Sequence, residues 1–583
     1  MNKTLNYEKT KHIYFSLLTL ALTASCYEGI DPITQVDPGP DAGAPIVTIE
    51  KPVDGFQIQV ADLVTSTPIE FKAEDDIELT SVVVELDGDV IASYNSFLDY
   101  RIFNEEFVYD NITTGDHFIT VTATDIAGNT TSVTNNFSKQ PPYTPEYQGE
   151  TFYMPFDGSY TELVTVTDAE EFGAPSFAGE ARVGSNAYAG APDSYLTFPT
   201  DGLLANQFSA AFWMKVNATP DRAGVLVIGP PDSANPDAQN IRTSGFRLFR
   251  ENAGGMQRFK LNIGTGSGEA WFDGGAAADV DPTLDEWVHL AFTISESQAT
   301  VYINGQVVTQ NSFSGIDWTG CDILSIMSGA PRFTGWGHNA DQSYMDDLRL
   351  FNIALTQNDI TELIANSDQV FKLAFNGSYT ESFSDQDCTE VGNPGFSSDA
   401  FEGSSAYQGA TDSYLTFPTE GLLNEEFSAV FRYKVNATPD RAGVLVIGPE
   451  DTANPDAQND RTKGFRFFRE NAGGMQRFKL NVGSGSSDSW FDGGAAADVD
   501  PTIDQWKQMA FTISGTECVV YIDGQVVSQN AFAGVDWTGC DIISIMSGAP
   551  RFTGWGHNSD ASLMDDLKIY KKALTQAEIQ AML

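Results

Sequence analysis

One block of sequence is written twice at a constant spacing. Ser194-Tyr195-Leu196-Thr197-Phe198-Pro199 returns as Ser413-Tyr414-Leu415-Thr416-Phe417-Pro418. Arg222 returns as Arg441, Arg250 as Arg469, and Trp336 as Trp555, each 219 residues on. A period of this length is far longer than any solenoid repeat, so it describes tandem domains, each large enough to bury its own core. The anchors run from Gly158 to Asn339 without an insertion, which places the copies at 150–365 and 366–583.

Within each copy the apolar pattern is that of strands. Phe208 to Val216, Gly224 to Ile228, Phe246 to Phe249, Arg258 to Asn262 and Ala299 to Ile303 are short, rich in aromatic and β-branched residues, and bounded by turn signals. Asn304-Gly305, with Asp523-Gly524 in the second copy, is a two-residue hairpin turn. Only 356–364 and 575–582 have a helical pattern. The chain carries 80 acidic and 32 basic residues, a net charge of −48. That excess argues against nucleic-acid binding, which needs Lys and Arg to displace phosphate counterions.

Residues 1–25 have the form of an export signal: Lys3, Lys9 and Lys11, then an apolar stretch from Ile13 to Leu22 too short to span a bilayer. The following Thr23-Ala24-Ser25-Cys26 resembles the bacterial lipoprotein processing box, with Thr23 where Leu is usual. The resemblance implies that Cys26 is acylated and anchored in lipid. Residues 26–44 are a Pro/Gly/Asp tether. Residues 45–140 alternate with period two between turn signals, which predicts a β-sandwich. The 115–129 run resembles the last hairpin of bacterial immunoglobulin-like modules, which mostly act as spacers. The acidic cluster Glu74, Asp75, Asp76 and Glu78 reads as a solvated loop. Residues 141–149, with Pro141, Pro142 and Pro145, form a linker.

Trp287-Val288-His289-Leu290-Ala291-Phe292-Thr293, Val301-Tyr302-Ile303-Asn304-Gly305 and Met345-Asp346-Asp347-Leu348 resemble the laminin-G, concanavalin A-like jelly roll. The same pattern returns at Trp506, Val520 to Gly524 and Met564 to Leu567. The expected fold class is therefore all-β, an N-terminal immunoglobulin-like sandwich followed by two tandem concanavalin A-like jelly rolls. The whole architecture resembles the surface glycan-binding lipoproteins of Bacteroidetes polysaccharide-utilisation systems. That resemblance implies polysaccharide capture at the cell outer membrane, beside a glycan importer and surface glycosidases. An adhesin or structural surface protein with lectin-like domains is the second reading, and a glycan-degrading enzyme the third.

Catalysis has little support in the residues. Glycosidases need two carboxylates flanking the scissile bond, and the Glu-x-Asp-x-(x)-Glu strand of glycosidases on this fold is absent. Only Glu162, Glu171 and Glu251 are Glu in both copies, and Glu251 is expected at a hairpin turn. His289 becomes Gln508. The Arg-x-Glu-Leu and Gln-x-His strands of jelly-roll lyases are absent too.

Sugar rings stack on aromatic faces, and their hydroxyls pair with polar side chains. All nine Trp lie in the two copies. Trp271/Trp490 and Trp336/Trp555, in Gly-rich segments, are the expected platforms, with His338/His557 beside them. Trp287/Trp506 is expected in the core. Arg222, Arg247, Arg250, Arg258 and Arg332 return as Arg441, Arg466, Arg469, Arg477 and Arg551. Alternation points Arg247 away from the core and puts Arg258, Lys260 and Asn262 on one face. On the concave face these would form a basic groove for hydroxyl-rich or anionic polysaccharide.

The jelly-roll resemblance further implies a structural Ca²⁺, held by Asp157 and Asp346 in the first copy and by Asn376 and Asp565 in the second. Cys321 and Cys540 match at the repeat spacing and read as buried thiols. Cys388 and Cys518 stand where the first copy has Ala169 and Ala299, which suggests a disulfide private to the second copy.

Overall fold

The computed structural model describes residues 43–583 apart from Ala61 and Asp385. The signal segment, Cys26 and most of the tether lie outside the described residues. No helix among the described residues is long and apolar enough to cross a membrane.

Two compact units are present, divided after Tyr143. The first is a sandwich of a three-stranded and a five-stranded sheet. Its core is Ile69, Phe71, Val82, Val84, Ile119 and Val121, alternate residues of neighbouring strands. Alternation also leaves Thr120 and Thr122 on the outer face, bonded to Thr134 and Ser132 across the strand pair.

The second unit holds both repeats. Each is two eight-stranded sheets face to face, with one large apolar core between them. In the first copy the back sheet contains β1 (Phe208–Lys215), with its neighbours Trp287–Ile294 and Tyr344–Phe351. The front sheet contains β2 (Arg222–Gly229), β3 (Phe246–Ala253), β4 (Met256–Gly264) and β5 (Glu269–Asp273), paired antiparallel in that order. The Asn304-Gly305 turn forms as its sequence predicts, with φ of 48° and 73°.

Helix α1 (Gln357–Asn366) and helix α2 (Gln576–Ala581) close the two copies. Thr356 and Thr575 start them with reciprocal capping boxes to Asp359 and Glu578. Ile360 and Leu363 of α1 pack on Ala211, Ala291, Tyr302 and Phe351, the outer face of the back sheet. Ile579 and Met582 do the same in the second copy, against Val430, Ala510, Tyr521 and Tyr570. The front sheets therefore carry the open faces.

The expected disulfide does not form. Cys388 and Cys518 are free thiols, both buried in the core of the second copy. Each replaces an alanine on an inward-facing position, where Cys acts as a small apolar residue. Burial pushes the Cys388 thiol up to about 12 and the Cys518 thiol higher still, so neither is a ready thiolate. Cys321 and Cys540 are buried thiols, as expected. Trp287 begins its strand and Trp506 lies just before the matching one, and both stay half-buried outside the core.

Candidate functional site

Alternation sorts β3 into two faces. Phe246 and Leu248 enter the core, and Arg250 points the same way. Arg247, Phe249 and Glu251 face the front. The front face is not bare: two loops, 230–245 and 327–343, fold over it. They are tied by the Thr334 and Gly335 amides, both donating to the Gln239 carbonyl at 3.0 Å. The second loop can approach because Gly224 and Gly329 lack side chains; a Cβ on Gly224 would lie 2.0 Å from the Gly329 nitrogen. Under this loop Phe333, Phe249 and Val227 form a small second core. The His338 ring stacks on Phe333 at 4.9 Å.

Trp271 and Trp336 stand at the edge of this cover. Their rings are nearly parallel, 11° apart with centroids at 5.9 Å, and they remain 40% and 38% exposed. Trp490 and Trp555 repeat the arrangement at 12° and 5.5 Å. Trp336 lies on the loop, as expected, whereas Trp271 belongs to the edge strand β5. Two residues that sequence reasoning missed complete the platform. The Arg242 guanidinium sits 4.3 Å from the Trp336 ring and pairs with Glu269 at 2.6 Å. Arg461 and Asp488 do the same beside Trp555. Both pairs recur at the 219 spacing, which was the available signal.

Around the platform every cation meets a carboxylate. Arg258 pairs with Asp279 at 2.6 Å, and Lys260 lies 3.0 Å from Glu251 and 3.3 Å from Asp273. Arg222, half exposed, donates to the Trp336 carbonyl at 3.1 Å and lies 3.9 Å from Glu251. Arg441, Arg477 and Lys479 repeat these contacts. The expected alignment of Arg258, Lys260 and Asn262 on one face is present, but the expected basic groove is not. Arg222, Arg242, Arg258 and Lys260 are balanced by Glu251, Glu269, Asp273 and Asp279.

Four of the predicted ligand arginines are interior. Arg247 does point to the front, yet it is fully buried beneath the 230–245 loop, donating to the Ile241 carbonyl and to Ser244 O at 2.8 Å. Burial lowers it to about 10. Arg466 is placed likewise. Arg250 lies between the sheets, bidentate to the buried Asp341 at 2.6 and 2.8 Å. Arg469 pairs with Asp560 in the same way, joined by the Tyr433 hydroxyl that replaces Met214. Arg332 and Arg551 are mostly covered and paired with Asp322 and Asp541.

Glu251 lies within β3, not at a turn, paired with Arg222 and Arg258 across the sheet. Its Oε1 sits 3.2 Å from His338 Nε2. Burial holds His338 down to about 4, so Nε2–H donates and the ring is neutral. Burial pushes Glu251 up, but Lys260 outweighs it and the carboxylate stays below its usual range. A carboxylate held ionised in this way is a poor general acid. His338 and His557 are fully buried, so they support Glu251 and Glu470 and do not reach the surface. Glu162, a shared glutamate that is fully buried, accepts the Thr165 amide at 2.7 Å and shapes a turn.

Asp346, expected to hold calcium, lies in the first copy's back sheet. Asp346 Oδ2 accepts the Arg182 and Val183 amides at 2.7 and 2.9 Å, while its buried Oδ1 has no partner. Burial pushes this carboxyl up to about 7, with Asp347 and Asp157 adding to the effect. A buried, unpartnered carboxylate oxygen near a second carboxylate suits a hard cation. The second copy fits less well: Asn376 is neutral, and Asp565 Oδ1 accepts the Asp566 amide at 2.9 Å. Among the described residues no cluster of three or more His, Cys, Asp or Glu is poised for a metal.

Residues 189–361 and 409–580, more than half of the chain, match the family described as the concanavalin A-like lectin/glucanases superfamily. No curated protein matches. Among solved structures, domain 4 of AbnA, an extracellular arabinanase of Geobacillus stearothermophilus, in complex with arabinotriose, is 18% identical. It covers 37% of this chain and 97% of its own, with a TM-score of 0.29. Domains LG4-5 of the mouse laminin α1 chain are 12% identical over 74% of this chain and 96% of theirs, TM-score 0.21. A putative carbohydrate binding protein of Bacteroides ovatus is 13% identical over 54% and 83%, TM-score 0.21.

Proposed function

This chain belongs to the concanavalin A-like lectin/glucanases superfamily, and we propose that its two jelly rolls are non-catalytic binding modules for an uncharged polysaccharide. The observation that carries the reading is the pair of exposed, near-parallel tryptophans, present in both copies at the edge of the loops that cover the front sheet. A sugar ring gains apolar contact on such a surface, and the paired charges around it offer both donors and acceptors to hydroxyls. The balance of cations and carboxylates supports a neutral polymer over the anionic one that the sequence also allowed. A bidentate anion site needs a guanidinium with free donors, and the arginines beside the platform are already engaged.

The catalytic reading is weaker because Glu251 and Glu470 are held ionised by Lys260 and Lys479. In this proposal the protein is a lipoprotein acylated at Cys26 and displayed at the cell outer membrane. The N-terminal sandwich spaces the binding modules from the lipid, and the captured glycan passes to surface glycosidases and an importer. Asp157 and Asp346 hold a structural Ca²⁺ in the first jelly roll.

Affinity gels containing xylan, laminarin, alginate or carrageenan test the reading. Retention by a neutral polymer, lost in the Trp336→Ala/Trp555→Ala double variant, is expected. Retention by alginate or carrageenan alone, or release of reducing ends by the purified protein, would overturn it.

A further inference from the structure

The two jelly rolls meet through their back sheets. Helix α1 lies on the outer face of the first back sheet, and its Ala365 enters the apolar cluster on the outer face of the second. Asn366 is shared: its side chain donates to the Tyr147 hydroxyl at 3.1 Å and accepts from the Tyr570 hydroxyl at 3.2 Å. Arg182 of the first copy pairs with Asp368 of the second at 2.9 Å. Both copies line one cleft there, with Tyr153 and Arg349 on one wall and Lys372 and Lys568 on the other.

The aromatic platforms lie on the front sheets, across each sandwich from this interface. Sheets stack about 10 Å apart and a helix is about 10 Å thick, so the platforms face opposite ways across about 40 Å of protein. One extended chain cannot lie on both without turning back around the unit. We propose, resting on the glycan-binding reading above, that the tandem jelly rolls bridge two separate polysaccharide strands and do not grip one strand twice.

The test is light scattering with the full chain added to soluble xylan and, separately, to soluble laminarin, alongside retention in affinity gels of each. Bridging predicts scattering that rises with protein, peaks near equivalence and falls in excess. Trp336→Ala and Trp555→Ala should each weaken gel retention without abolishing it, through the platform left in the other copy, yet give no rise, and circular dichroism should show both folded. Two sites on one strand would instead add avidity of about 10²–10⁴ without a scattering peak. Retention without a peak, or a peak that persists in a single-site variant, overturns bridging alone. Retention by neither polymer overturns the binding reading and this inference with it.

Discussion

Replacing Arg250 with alanine separates a ligand-binding arginine from a structural one. The side chain is fully buried and holds Asp341 through two bonds at 2.6 and 2.8 Å, with a third to the Pro220 carbonyl at 2.9 Å. Arg250→Ala leaves Asp341 charged, buried and without its counterion. Breaking a buried pair from one side costs about 3–5 kcal/mol. A domain of this size loses about 2–4 °C per kcal/mol, so the first jelly roll should melt about 6–20 °C lower. Differential scanning calorimetry of the full chain reads this directly, and Arg469→Ala should lower the second jelly roll similarly. Below that transition, affinity-gel retention should remain. A melting temperature within about 1 °C of wild type, with retention lost, would mean that Arg250 meets the ligand and that the interior placement is wrong.

Trp336→Ala removes a ring that is already 38% exposed, so it should cost about 1–2 kcal/mol, below the 3–5 of a core aromatic, while weakening glycan retention by the first copy in a native gel. The pH dependence follows from His289, fully buried in the first copy and lowered by burial to about 4. The unfolded chain takes up this proton near pH 6.5, so its contribution is complete above 6.5 and is lost as pH falls towards 4, up to about 3 kcal/mol. His289→Gln, the residue of the second copy, should flatten that acid loss in urea titrations run from pH 7 to 4. Chelation of Ca²⁺ should lower the first jelly roll's melting temperature and leave the second's unchanged, because Asp346 Oδ1 is buried without a partner whereas Asp565 Oδ1 accepts the Asp566 amide and Asn376 is neutral; equal shifts would count against the proposed site. Cys388 and Cys518 should react with a thiol reagent only after denaturation, and reductant should not move the melting temperature.

The duplication, the strand pattern and the hairpin turns carried most of the fold. Period-two alternation correctly turned Arg247 away from the core and aligned Arg258, Lys260 and Asn262. Its limit was Arg247 itself: pointing outward from a sheet is not exposure when the 230–245 loop lies on top. Arg250 failed for the complementary reason, since its inward partner Asp341 is 91 residues away in the chain. Glu251 and His338 are 87 apart, and no local pattern could bring them together. The missed Arg242 reaches Trp336 only because the two loops are tied at Gln239.

Sequence alone determined that this protein has two equivalent β domains, each repeating the same tryptophans at a fixed spacing, because spacing and alternation are properties of the chain. Tertiary structure decided which arginines serve the interior, that the rim charges cancel, and that Trp271 stands against Trp336 and Trp490 against Trp555. Those depend on which distant segments come into contact, and contact between distant segments is settled by packing, not by neighbours in the chain.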